Sequence, residues 1–324
     1  MQSFEKLSNR INQAVAESGL PAGPATLFEP IRYTMAAGGK RVRPVLALAA
    51  CNLFCGDAER AVDAALGIEV FHNFTLLHDD IMDDAPLRRG RPTVHERWSP
   101  NAAILSGDAM VILAYELMSQ VDPSVLPAVL AVFNRVAMEV CKGQRYDMDF
   151  EQRTDVSKSE YLRMIELKCA VLLGGAARIG AIIGGAAEAE AQKLYDFGVA
   201  LGLAFQLQDD LLDTYGNPET FGKAIGGDIL AGKKTFLFIH ALERAEGEIR
   251  KRLLRLLRSP GSDPQQKIAE TRALYTETGA ERAVRDLVFV YFRQAEMILD
   301  NLTVDAARKT TLREISDTLK NRER

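Results

Sequence analysis

The chain has 324 residues, 47% of them apolar, with a net charge of −4 at pH 7 and a pI near 5.7. That length suits one large domain or two ordinary ones, with enough apolar content for a core that needs no staples. The acidic balance argues against a nucleic-acid partner, and the start of the chain, with Glu5, Lys6 and Arg10, lacks the apolar run of a signal peptide.

Helical patterning begins at once. Residues 3–18 place Phe4, Leu7, Ile11 and Val15 at a period between three and four. The stretches 44–55, 60–78, 102–119 and 124–142 are rich in Ala and Leu and contain no internal proline. Ser157 and Glu160 stand at capping-box spacing ahead of a long apolar segment. Further helices fit 188–215, 234–258, 264–303 and 305–321. Gly and Pro mark loops at 19–24, 38–44, 86–92, 122–127, 216–227 and 259–264. Alternating strand patterns are nearly absent, and no loop has the composition of an interdomain linker. The expectation is one all-α domain over residues 1–324, a single bundle of about ten to thirteen helices around a central cavity. The longest uncharged apolar stretches are interrupted by Gly and Ala, so no transmembrane segment is expected. Cys51, Cys55, Cys141 and Cys169 form no Cys-x-x-Cys pair, which suits thiols in a cytoplasmic protein.

Two short stretches repeat one conflict: "HDDIMDD" at 78–84 and "QDDLLDT" at 208–214. Like charges one helical turn apart repel, so a repeat of them suggests a cation that relieves both. Asp79 and Asp83 share one helix face, about 6 Å apart along the axis. Such a pair suits Mg2+, which takes one or two carboxylates together with water and phosphate oxygens. Arg88 and Arg89 follow in a Pro- and Gly-bounded loop, and arginine forks match phosphate. The plain alternative, a solvated acidic helix end before a basic loop, is weakened by the second copy. There Asp209, Asp210 and Asp213 lie in apolar surroundings and precede Lys223, Lys233 and Lys234. A third basic element, "GGKRVRP" at 38–44, crowds Lys40, Arg41 and Arg43 beside two glycines. It reads as a second anion pocket that needs no metal, or else as a basic helix start on the surface.

These three stretches, in this order and spacing, resemble the trans-isoprenyl diphosphate synthases, also called polyprenyl synthetases. The resemblance covers essentially the whole chain, including "GQRYD" at 143–147 and Lys168. It implies an all-α homodimer of the isoprenoid synthase type that condenses an allylic diphosphate with isopentenyl diphosphate. By motif position it implies that Asp79, Asp83 and Asp209 bind Mg2+, three ions in all, with Asp80 and Asp213 as supporting carboxylates. Arg88, Lys168 and Lys223 would hold the allylic diphosphate, with Lys233 nearby. Lys40, Arg43, His72 and Arg89 would hold isopentenyl diphosphate, and Gln206 and Gln144 would line the reacting region. At Cys169 the chain departs from the family's common threonine, and a thiol is the weaker donor; a backbone carbonyl is the other group able to face the cation there.

Phe74 lies five residues before Asp79, about 7–8 Å deeper along the axis, with the smaller Thr75 beside it. In the family, an aromatic there with no insertion in the acidic motif implies a short product, twenty carbons first and fifteen second. Phe74 as plain core packing is the other reading. Longer-chain synthases and a non-catalytic partner subunit are the functional alternatives. A class I terpene cyclase would need Ser or Thr and then Glu where Asp213 and Asn217 stand.

Overall fold

The computed structural model describes residues 2–216, 225–257 and 263–321. The fold is all-α. In chain order the first ten helices are α1 (Phe4–Ala16), α2 (Ala25–Met35), α3 (Val42–Cys55), α4 (Val62–Met82), α5 (Val94–Arg97), α6 (Pro100–Met118), α7 (Leu126–Glu151), α8 (Lys158–Ile165), α9 (Val171–Ile183) and α10 (Glu188–Tyr215). Helices at Gly227–Ala231, Phe236–Arg244, Gly247–Leu257, Pro264–Glu277, Ala280–Asp300 and Thr310–Lys320 follow. Among the described residues the one sheet is a hairpin of Leu87–Arg88 with Arg91–Pro92.

The chain forms two compact units. The first takes Met1–Asn134, Gly175–Tyr195 and Leu302–Ile315. Its centre is α3, apolar nearly all round, with Val45, Leu46, Leu48 and Leu53 out of solvent, as expected for a helix enclosed on every side. Leu7 and Ile11, two of the residues that set the period of α1, are buried too, and Ser3 caps that helix through its hydroxyl. A Cβ on Gly180 of α9 would stand 2.0 Å from the Ala47 carbonyl oxygen of α3, so only glycine allows that approach. Among described helices α6 alone is long and apolar enough, by length and composition, to cross a membrane. Its Ala103, Met110, Ala114 and Met118 are instead core residues of this unit, whereas Ile104, Leu105 and Ile112 are exposed on its other side.

The second unit takes Arg135–Gly174, Asp196–Asn301 and Ser316–Arg324. Leu203, Leu207 and Leu211 of α10 pack with Tyr161, Met164, Phe236, Leu237, Leu274 and Tyr275. The expected capping box opens α8: the Ser157 N–H donates to Glu160 at 2.9 Å and the Glu160 N–H to the Ser157 hydroxyl at 3.3 Å. Between α8 and α9 the segment Glu166–Ala170 is wound as a π-helix, which composition does not announce.

Helices break more often than the periodicity predicts. The stretch read as 234–258 divides where Ala245 turns extended and Gly247 takes φ +51°. The stretch read as 264–303 divides at Gly279, with φ +73°. A left-handed glycine ends a helix whatever the hydrophobic period continues to say. The first acidic helix does the reverse and runs past the predicted residue 78 to Met82.

Candidate active site

In the first unit the acidic motif occupies the last turn of α4. Asp79 lies inside the helix, and Asp83 is its C-cap, its N–H donating to the Asp79 carbonyl at 2.9 Å. Asp80 is buried. Arg88, on the hairpin, donates through Nε to Asp80 Oδ1 at 2.7 Å and through Nη2 to Asp79 Oδ2 at 3.4 Å. Burial pushes the Asp80 carboxyl above its usual range, and the Arg88 guanidinium opposes the shift without cancelling it. Asp79, the more exposed of the two, offers oxygens only, which suits a hard cation that keeps part of its water.

The basic element "GGKRVRP" separates into two roles. Arg41 is buried at φ +50° and is spent on the fold. It donates to Glu69 at 2.5 Å, to the Met35 carbonyl at 2.8 Å and to Asn12 at 3.2 Å. Asn73 braces the same Glu69 carboxylate at 2.9 Å. Burying such a pair is costly unless its polar atoms are met, and here five groups meet one another: Arg41, Glu69, Asn12, Asn73 and the Met35 carbonyl. The reading of three clustered surface cations therefore gives way to two. Lys40 is exposed, and Arg43 Nη1 donates to His72 Nε2 at 3.1 Å. Loss of solvent, then the charges of Arg43, Arg89, Arg88 and Arg41, hold His72 well below the usual imidazole range, so its ring is neutral and accepts. Arg89, at φ +54°, donates to the Gly38 carbonyl. A Cβ on Gly39 would sit 3.0 Å from the Arg89 guanidinium. Arg43, His72, Arg88 and Arg89 thus form one electropositive cluster beside the carboxylates.

Phe74 belongs to an aromatic ladder on α4. Its ring lies 5.4 Å from Phe71 and 4.7 Å from His78, and Phe71 in turn meets Phe133 at 5.3 Å. Thr75 returns its hydroxyl to the His72 carbonyl at 2.7 Å.

In the second unit Asp209, Asp210 and Asp213 lie on α10. Asp210 is buried and accepts from the Tyr161 hydroxyl at 2.5 Å and from Gln206 Nε2 at 3.2 Å. Burial and the charge of Asp228 push its carboxyl well up. Asp213 accepts the Asp228 N–H at 3.0 Å at the start of the short helix Gly227–Ala231. Lys233 is exposed, its Nζ 3.9 Å from Asp228, and Lys234 donates to the Glu151 carbonyl at 2.7 Å. Lys168, on the π segment, pairs with Asp147 at 2.6 Å. Gln144 and Cys169 are half-buried. Lys223 lies outside the described residues.

Sequence reasoning missed Tyr161, Asp147, Glu69 and Asn73.

Carboxylates and arginines thus stand together on an all-α scaffold. The comparisons give the family. The model of the family "Polyprenyl synthetase" matches residues 24–278. A short chain isoprenyl diphosphate synthase of Methanothermobacter thermautotrophicus is 38% identical over 324 residues, covering 100% of this chain and 98% of that protein. A geranylgeranyl diphosphate synthase of Methanosarcina mazei is 37% identical over 325 residues, with the same coverage. A crystal structure of a geranylgeranyl pyrophosphate synthase superposes with a TM-score of 0.95 at 41% identity, over 99% of each chain. The chain belongs to the polyprenyl synthetase family and is a prenyltransferase.

Proposed function

We propose that residues 1–324 act as one isoprenyl diphosphate synthase domain that joins an allylic diphosphate to isopentenyl diphosphate, head to tail, giving a twenty-carbon all-trans product. One observation supports this reading: in the first unit Arg88 is engaged by the carboxylates Asp79 and Asp80, whereas Arg43 is hydrogen-bonded to the neutral ring of His72, with the Arg89 charge close by. A reaction of two diphosphates needs both arrangements, and a cyclase of one diphosphate needs only the first.

Asp79 and Asp83 in the first unit, supported by Asp80, would bind Mg2+, and so would Asp209 in the second, supported by Asp213; by resemblance the ions number three with diphosphate bound. When bound, Mg2+ supplies charge neutralisation for the departing diphosphate. Arg88 would add positive charge at that leaving group, and by motif position Lys168, Lys223 and Lys233 would do the same. Lys40, Arg43, His72 and Arg89 orient the second diphosphate, so that the isopentenyl double bond meets the allylic cation before water does. The neutral His72 ring suits this role, because it relays the Arg43 donor without adding charge that an empty basic pocket would have to bear. Gln206 and Gln144 would line the reacting region. Beside Cys169 the π winding re-aims backbone carbonyls, which supports a carbonyl in place of the family's hydroxyl. Phe74, braced by Phe71 and His78, would stop the growing tail, with Thr75 next to it.

The exposed Ile104, Leu105 and Ile112 of α6 support a homodimer through that face. Sedimentation at about twice the 35.7 kDa chain mass, abolished by Ile112→Arg, is the expected result; a wild-type monomer would remove the proposal. The four free thiols support a cytoplasmic location.

The two-site reading is tested by separate substrate titrations. Arg43→Ala should raise KM for isopentenyl diphosphate about tenfold or more and leave the allylic KM near wild type, and Arg88→Ala should do the reverse. Equal effects of both variants on both substrates would contradict it.

A further inference from the structure

His95 is a buried polar side chain that the prenyl-transfer reading does not use. It is 8% exposed, and neither Nδ1 nor Nε2 has a hydrogen-bond partner. An imidazole stripped of water on both nitrogens is unfavourable, because one is a donor and the other an acceptor. Glu96 Oε1 is 3.7 Å from Nε2, too far for a hydrogen bond.

Two carboxylates converge on that ring. Asp84, just past α4, and Glu96 each offer an oxygen, and the ligand atoms of Asp84, His95 and Glu96 all lie within 4.8 Å of one another. Donors around one Zn2+ ion stand about 3–4 Å apart, a gap that rotation of two exposed carboxylates closes. The backbone holds the three together. Asp84 takes φ +48°, and the buried Thr93 donates its hydroxyl to the Ala85 carbonyl at 2.7 Å and its N–H to the Pro86 carbonyl at 3.1 Å. Neighbouring cations are engaged elsewhere: Arg91 and Arg97 lie over the Tyr33 ring, and Arg88 is on Asp80.

We propose that Asp84, His95 and Glu96 form a separate site for a borderline divalent transition metal, Zn2+ or Co2+ in character. The imidazole decides the class, since Mg2+ prefers oxygen throughout and N/O sites favour the later first-row ions. Such an ion ties the end of α4 to α5, across the base of the hairpin that carries Arg88 and Arg89, and so fixes the loop that presents both guanidinium groups. The site stands or falls without the prenyl-transfer reading, because its test uses no substrate.

The test uses the full chain, stripped of metal and then saturated with Mg2+ to occupy the oxygen sites, and titrated with Co2+ alone. The expected result is a visible d–d absorption band that saturates at about one Co2+ per chain and is displaced by Zn2+. His95→Gln and Glu96→Gln should each weaken binding about 10- to 100-fold. Glu96 is exposed, so its variant tests the site even where His95→Gln fails to fold. No band under Mg2+, or a band of equal affinity in the folded Glu96→Gln variant, would overturn the proposal.

Discussion

His72 shows how one side chain's surroundings set its chemistry. Four arginines and the loss of water hold its folded pKa well below the unfolded value of about 6.5. A histidine with a depressed folded pKa contributes stability that is complete above about pH 6.5 and is lost as the pH falls, because the unfolded chain takes up the proton first. Lowering the pH from 7 to 5 should therefore reduce Tm more in the wild type than in His72→Gln, with a difference in slope of at most about 1.4 kcal/mol per pH unit. Parallel Tm–pH curves, measured calorimetrically without ligand, would show that His72 is not held neutral. At this scale the sequence told residue types but not their employment. By composition "GGKRVRP" offers three like cations; the resemblance passes over Arg41, and the fold gives the reason, since Arg41 turns inward to Glu69 while Arg43 faces His72. Likewise Asp80 and Asp210 look interchangeable with their neighbours in sequence, yet they are the two that are buried. Nothing local separates adjacent aspartates, because which face of a helix is enclosed depends on what packs against it.

The π segment is the element on which the second unit's site turns. Glu166–Ala170 presents Lys168 and Cys169 and is pressed from two sides by glycines. A Cβ on Gly143 would stand 2.2 Å from the Lys168 nitrogen, and one on Gly202 would stand 2.5 Å from the Ala170 Cα. These contacts are with backbone, which has nowhere to rotate. Gly143→Ala should cost at least about 1–3 kcal/mol of stability and lower kcat by displacing Lys168 from Asp147. An unchanged Tm and kcat would mean that the helices part freely and the π segment is not clamped. Elements were legible where a period persisted: α1, α6, α8 and α10 stand where apolar spacing and the Ser157–Glu160 box put them, and α4 does so except that it runs on to Met82. The π segment was not legible, since its residues are ordinary helix formers and its winding comes from what lies against it. The hairpin was missed because strands of two residues show no alternation. The breaks at Gly247 and Gly279 were visible as glycines but were overridden by continuing periodicity.

Across the whole molecule, the family came from a pattern that no single element holds: two acidic clusters on separate helices, each followed by cations, with a metal-free basic loop near the start. That pattern is legible because like charges one helical turn apart are destabilising, so two such clusters suggest a cation that relieves them. The comparisons bear out the fold and the prenyltransferase family over nearly the whole chain. Product length is the finer question, and the proposed stop is Phe74, whose ring packs against Phe71 and His78. The measurement that tests the central claim most directly gives the purified protein Mg2+, labelled isopentenyl diphosphate and each allylic primer in turn, and sizes the dephosphorylated products by chromatography. The expected result is a discrete product of about twenty carbons, replaced by longer chains in Phe74→Ala, as removal of a ring-sized barrier requires. Folded protein that elongates no primer would contradict the synthase reading itself.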